Sequence, residues 1–196
     1  EYKLIWDPDN NGNSVVWLDY SNEALNWTPQ KNWAAGLDSA LTINLNSGVS
    51  VDWGNNPWRL PSIEDGQYVF GTDGKTTGGY NITTSEMGHL FYTELGNIGY
   101  YATNGTSPQP GWGLNNTEDF ENLIASWYWS GTESADDLDA AWDFGMNYGL
   151  QAINGKGLND YGLAVRSGQV STAPIPEPTT SLLLGIGLLG LAGSRC

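Results

Sequence analysis

The chain is poor in several things, and each shortage excludes something. One cysteine, Cys196, stands among 196 residues, so no disulfide within the chain can staple the fold and stability must come from a packed core. Lysine and arginine number 7 against 22 acidic residues, giving a net charge of −15. That balance excludes nucleic acid as a partner, because neutralising phosphates requires basic patches. With a single histidine, His89, the sequence offers no histidine cluster for a catalytic metal, and it contains no Cys/His pair, nucleophile elbow or phosphate loop. An enzyme is therefore not expected. Long apolar runs are also missing: the longest, residues 181–193, has 13 residues, short of the ~20 that a helix needs to cross a bilayer.

What is abundant is aromatic, small and acidic. Ten tryptophans and ten tyrosines supply large surfaces for a core, and 26 glycines indicate a loop-rich fold with tight turns. The acidic excess suits solubility by self-repulsion or the binding of divalent cations.

Three segments follow from the pattern: a globular body over 1–168, a Pro/Ser/Thr linker over 169–180, and a hydrophobic tail, expected to be helical, over 181–196. In the body, Leu4–Trp6 and Val15–Leu18 read as strands around an Asp/Asn/Gly loop. Thr28-Pro29 reads as a helix start, followed by Trp33, Ala34 and Leu37 on one face. Leu41, Ile43 and Leu45, a turn at Asn46-Ser47-Gly48, then Val49, Val51 and Trp53 read as a hairpin. Ser85 caps a second helix with Met87, Phe91 and Leu95 in one stripe and Gly96 as its stop. His89 on that helix is read as a surface or packing residue. Short strands are expected at 127–129, 141–146, 150–153 and 163–166, with a turn at Asn154-Gly155. Two early helices and a late run of strands predict an α+β class.

Four groups of residues are candidates for function. Asp7, Asp9, Asn11 and Asn13 space oxygen ligands as in a calcium loop, with Gly12 at the turn. Leu18 holds the place of the expected bidentate glutamate and Asp19 follows it. Two readings stand: a calcium cradle using Asp19, or an Asx-rich turn. Arg59 and Arg166, among aromatic and apolar neighbours, are expected to pin loops through a carboxylate such as Glu64 or Glu133. Exposed aromatics such as Trp112, Trp127 or Tyr128 are candidates for stacking on sugar rings. In the tail, small residues recur at four-residue spacing, Ser181 to Gly185 and Gly190 to Ser194, beside Leu188 and Leu191, as in close-packed helix pairs.

Two resemblances add to this. Pro176-Glu177-Pro178, followed by Leu182–Gly185 and Gly187–Gly193, resembles the PEP-CTERM sorting signal of exported proteins in Gram-negative bacteria that make exopolysaccharide. The resemblance implies processing by exosortase, an extracellular or outer-surface location, and an N-terminal export signal removed ahead of Glu1. The body pieces Trp17-Leu18-Asp19, Trp33–Leu37, Trp58–Pro61, Trp127–Glu133 and Leu163–Gly168 resemble the family named for the C-terminal domain of a collagen-like bacterial adhesin. That resemblance implies a C-type-lectin-like fold, in which a late loop often holds calcium and sugar; Glu133, Asp136, Asp137, Asp139 and Asp143 stand in the matching place, as that loop or as a solvated acidic one. Two functions are then expected. The first is a structural protein of the cell surface or biofilm matrix that self-assembles, as a homo-oligomer, filament or surface layer, through its tail. The second is an adhesin that binds exopolysaccharide, with the tail used for sorting alone.

Overall fold

The computed structural model describes residues 2–173. Its elements run β1 (Lys3–Asn10), β2 (Asn13–Leu25), α1 (Trp27–Ala40), β3 (Val49–Asp52), β4 (Phe70–Gly71), β5 (Gly78–Tyr80), α2 (Glu86–His89), a π-helical turn (Leu90–Glu94), β6 (Trp127–Glu133), β7 (Ala140–Gly145), β8 (Leu150–Gly155), β9 (Asp160–Ser167) and β10 (Gln169–Thr172). Eight strands form one sheet in the order β1-β2-β9-β6-β7-β8-β5-β4, and β10 pairs with β3 in a second, two-stranded sheet. This is a mostly β architecture, which corrects the expected α+β, C-type-lectin-like arrangement. The two helical signals are real but short, 14 residues and 4, and they decorate a sheet that holds most of the regular structure.

The strands in the middle of the sheet are buried on both faces, so their sequences read as continuous apolar runs rather than alternations. Along β2, Val15 and Trp17 enter one core and Val16 and Leu18 the other. The first core packs Trp142, Phe144, Tyr128, Leu163 and Val165 against Met87, Leu90, Phe91 and Leu95 of the second helical segment. On the opposite face, α1 lays Leu37 on Val16, Leu18 and Trp58, and Ala34 on Trp129 and Leu60. Burying one large side chain of this kind contributes about 1.5–3 kcal/mol. Some ten such side chains carry a fold that has no disulfide.

Local chemistry explains the joints. Asn11 and Gly12 have φ of 54° and 81° between the paired residues Asn10 and Asn13, the left-handed geometry that an Asn-Gly hairpin loop requires. Ser85 caps α2 through Gly88 N–H at 3.1 Å, and Gly96 with φ 62° follows the segment's last turn.

Three expectations need correction. Helix α1 starts at Trp27 behind Asn26, and the Asn26 amide donates to the Gly157 and Leu158 carbonyls rather than being replaced by a Thr28 cap. Pro29 still falls in the first turn, where its missing N–H costs nothing. The 41–53 hairpin does not form: residues 41–46 carry no strand, and β3 pairs with β10 through Val51 and Val170. Strand β10 thereby extends the ordered body by four residues into the segment expected as linker. Asn154-Gly155 is not the turn: both residues end β8 and pair with Ala141 and Ala140, and the chain turns at Lys156-Gly157 on its way to β9, which is not β8's neighbour in the sheet.

Candidate functional site

The Asx turn gathers Asp7, Asp9, Asn11 and Asn13 but leaves out Asp19, which pairs with Lys3 at the far end of the β1–β2 hairpin. Asp19 lies six strand steps beyond Asn13, about 20 Å. Asp7 is buried and accepts from the Asn10 amide at 2.8 Å and the Trp17 indole at 3.3 Å, while Asp9 accepts from Gly12 N–H at 2.9 Å. Asn13 donates its amide to the Asn11 carbonyl at 3.2 Å, and Asn11 faces His89 Nδ1 at 3.1 Å. Asp19 accepts the N–H groups of Glu121 and Asn122 at 3.0 and 2.9 Å, which pins that loop to β2. These carboxylates are spent on turn and loop N–H groups, so the cradle using Asp19 is not assembled. Among the described residues no group of three or more His, Cys, Asp or Glu side chains gathers as for a metal.

Both arginines bond carboxylates other than those expected. Arg59 makes a bidentate pair with Glu86 at 2.6 and 2.7 Å, and Glu86 also accepts Ser62 N–H at 2.6 Å. Arg166 meets Asp38 at 3.0 Å, donates to the Asn56 carbonyl at 2.6 Å and lies over Trp53 at 4.7 Å. The acidic segment disperses: Glu133 pairs with Lys156 at 2.5 Å, Asp136, Asp137 and Asp139 are exposed, and Asp143 is buried inside β7.

Asp143 belongs to a feature the sequence did not reveal. Its Oδ1 and Asp160 Oδ2 are buried without a hydrogen-bond donor, while its Oδ2 accepts from the Asn154 amide at 2.5 Å. A single proton between the two carboxyls satisfies both bare oxygens. Burial raises Asp143 to about 8, with the Asp160 charge adding to the rise and the Asn154 amide offsetting part of it. Burial likewise raises Asp160 to about 6. The only hint in the sequence is an aspartate inside the apolar run Ala140–Gly145.

The most ligand-like surface is aromatic and lies toward the β8-β5-β4 end of the sheet. Trp112 and Tyr148 stack in parallel, 5.3 Å apart and 7° from coplanar, and Tyr100 stands edge-on to both at 4.9 and 6.0 Å. Trp112 and Tyr148 each keep 37% of their surface exposed. Tyr101 and Tyr80 continue the row behind Tyr100, at ring separations of 5.3 and 5.0 Å. Backbone bonds fix the platform: Tyr100 N–H donates to the Tyr148 carbonyl at 2.8 Å, and Gly113 N–H donates to the Ile98 carbonyl at 2.8 Å. Of the three aromatics expected to meet sugar, Trp112 is exposed, Trp127 is half-buried, and Tyr128 is fully buried with its hydroxyl on Ser21 and Ile124. Tyr100 and Tyr148 were missed because 48 residues separate them and no local pattern joins them.

A polar cleft of about 300 Å³ opens near the same end, lined by Glu64, Asp65, Thr76, Thr77, Thr84 and Gln151. Gln151 is buried there; its amide donates to the Thr77 carbonyl at 2.7 Å, and its Oε1 has no partner.

The tail residues Ser181, Gly185, Leu188, Gly190, Leu191 and Ser194, and the motif Pro176-Glu177-Pro178, lie outside the described residues. Residues 174–195 match the family model of the PEP-CTERM protein-sorting motif. That motif marks the chain as exported, processed by exosortase, and delivered to the cell envelope or surface of a Gram-negative bacterium. No curated protein and no solved structure matches the chain.

Proposed function

We propose that the exported body is a non-catalytic module that binds exopolysaccharide at the cell surface through Tyr100, Trp112 and Tyr148. The observation that carries this reading is the exposed, pre-stacked Trp112–Tyr148 pair with Tyr100 braced against it. A pyranose ring offers an apolar C–H face with a hydroxyl rim, and tyrosine and tryptophan offer an apolar face with a polar edge. Rings already fixed by backbone bonds lose little freedom on binding. The cleft beside Gln151 supplies carboxylates and hydroxyls that suit sugar hydroxyls. A net charge of −15 favours a neutral or amine-bearing polymer over a polyanionic one. In this reading the tail serves sorting, and the aromatic platform, rather than tail-to-tail packing into a filament, is what the domain contributes at the surface.

Affinity electrophoresis of the full chain through gels containing the producing bacterium's exopolysaccharide tests this reading. Retardation of the wild-type chain that is abolished in Tyr148→Ala is the expected result. Equal mobility of the two, with or without polymer, would overturn it.

A further inference from the structure

At the opposite end of the molecule, β1, β2, the 41–46 segment, β3 and β10 enclose an open groove of about 780 Å³. Its walls include Leu4, Trp6, Ile43, Leu45, Val51 and Val170. Trp6 and Leu45 are 46% and 40% exposed, so the groove opens apolar side chains to water, with Lys3, Thr42, Asn44 and Asn46 supplying the polar part of its lining. Exposed apolar side chains gathered in one groove, rimmed by polar ones, mark a site for a partner with an apolar face.

The position and chemistry of the chain beyond Ala173 point to the occupant. Strand β10, which contributes Val170 to the groove, runs antiparallel to β3 and ends where Ala173 N–H donates to the Gly48 carbonyl at 2.7 Å. Gly48 sits between Asn46 and Val49, both part of the groove wall. The chain therefore leaves the described body at the mouth of the groove. Seven residues, Pro174 to Thr180, then precede the apolar run 181–193, a reach of about 22 Å at the ~3.1 Å per residue of a proline-rich extended chain. That run is leucine, isoleucine, glycine and alanine after Ser181, which suits Leu4, Ile43, Leu45, Val51 and Val170 of the groove wall.

We propose that the groove holds the apolar segment 181–193 of its own chain. A tether this short gives an effective concentration on the order of millimolar, so at micromolar protein the chain's own segment outcompetes that of a neighbour. The domain thereby shields its sorting segment from water until the processing protease takes it. The groove and the sugar platform share no residue, and the two proposals stand or fall separately.

Cys196, the sole cysteine, makes the test direct. Leu45→Cys puts a thiol in the groove wall, and Thr103→Cys puts one on an exposed loop beside the aromatic platform. Under mild oxidation of the full chain, the expected result is a disulfide within one molecule, formed at least ~10-fold faster with Leu45→Cys than with Thr103→Cys. Adding Ile43→Glu to the Leu45→Cys chain is expected to bring its rate down to that of Thr103→Cys. Mass mapping and non-reducing electrophoresis distinguish a monomeric link from one between copies. Equal rates at the two positions, or links found mainly between copies, would overturn the proposal. Circular dichroism confirms that each variant is folded before its rate is read.

Discussion

The two ends of the sheet both expose hydrophobic groups, but they do so differently. At the β8-β5-β4 end the exposed groups are aromatic, stack on one another and are fixed by backbone hydrogen bonds. At the β1 end they are aliphatic apart from Trp6 and Tyr2, and they line a channel instead of forming a ledge. A ring with a polar edge recognises a ligand that is apolar on its face and polar at its rim. Aliphatic walls discriminate only by exclusion of water. The chain thus keeps a surface for a hydroxylated ligand apart from one for an apolar segment, with a doubly buried sheet between them.

Breaking that shared frame is expected to have the largest effect. Trp129 is fully buried, packs under α1 and donates its indole N–H to the Leu25 carbonyl at 3.0 Å. Trp129→Ala is expected to cost about 3–5 kcal/mol in urea unfolding and to weaken both ends together.

Next in size is the Asp143–Asp160 pair, which sits between the two ends. Both groups are raised in the folded state, so the folded chain holds protons that the unfolded chain has already released. The stability they contribute is complete below about pH 4, and it is lost as pH rises through about 6 and then 8. Each proton so held makes stability fall by up to about 1.4 kcal/mol per pH unit across that window. Asp143→Asn is expected to flatten this fall, measured as urea midpoints from pH 4 to pH 9. An equally steep fall in the variant would show that the slope arises elsewhere.

Smaller and more selective effects separate the ends. Trp112→Ala is expected to weaken exopolysaccharide binding about 10-fold, or ~1.4 kcal/mol, in titration calorimetry, and to leave the groove-directed cross-link of Cys196 unchanged. Ile43→Glu is expected to do the converse. It should abolish the preferential cross-link while shifting polysaccharide affinity by less than about twofold and stability by about 0.5 kcal/mol or less.

Much of the strand pattern was legible because it follows from local chemistry. Asn11-Gly12 specifies its hairpin, Ser85 and Gly96 bracket the second helical segment, and the apolar runs at 15–18, 140–146 and 163–165 mark strands buried on both faces. The class was misread because two helix signals were weighted as layers, whereas α2 is a single turn continued by a π-helical one. The 41–53 segment shows why pairing is harder than propensity. Alternation at 49–53 is a strand signal, but its partner, β10, lies more than a hundred residues away. The same non-locality hid the site. Trp112 could be singled out, but Tyr100 and Tyr148 become neighbours only through Tyr100 N–H bonding the Tyr148 carbonyl. The calcium spacing is a related case: Asp7 and Asp9 sit in the turn that the spacing implied, while Asp19 lies at the far end of the strand.

The most direct test of the sugar-binding account is amide hydrogen exchange of the full chain, read by mass spectrometry with and without the exopolysaccharide. Slowed exchange confined to residues 98–113 and 146–151 is predicted, with the 41–51 region unchanged. Protection of the groove segments instead, or no protection at saturating polymer, would contradict it.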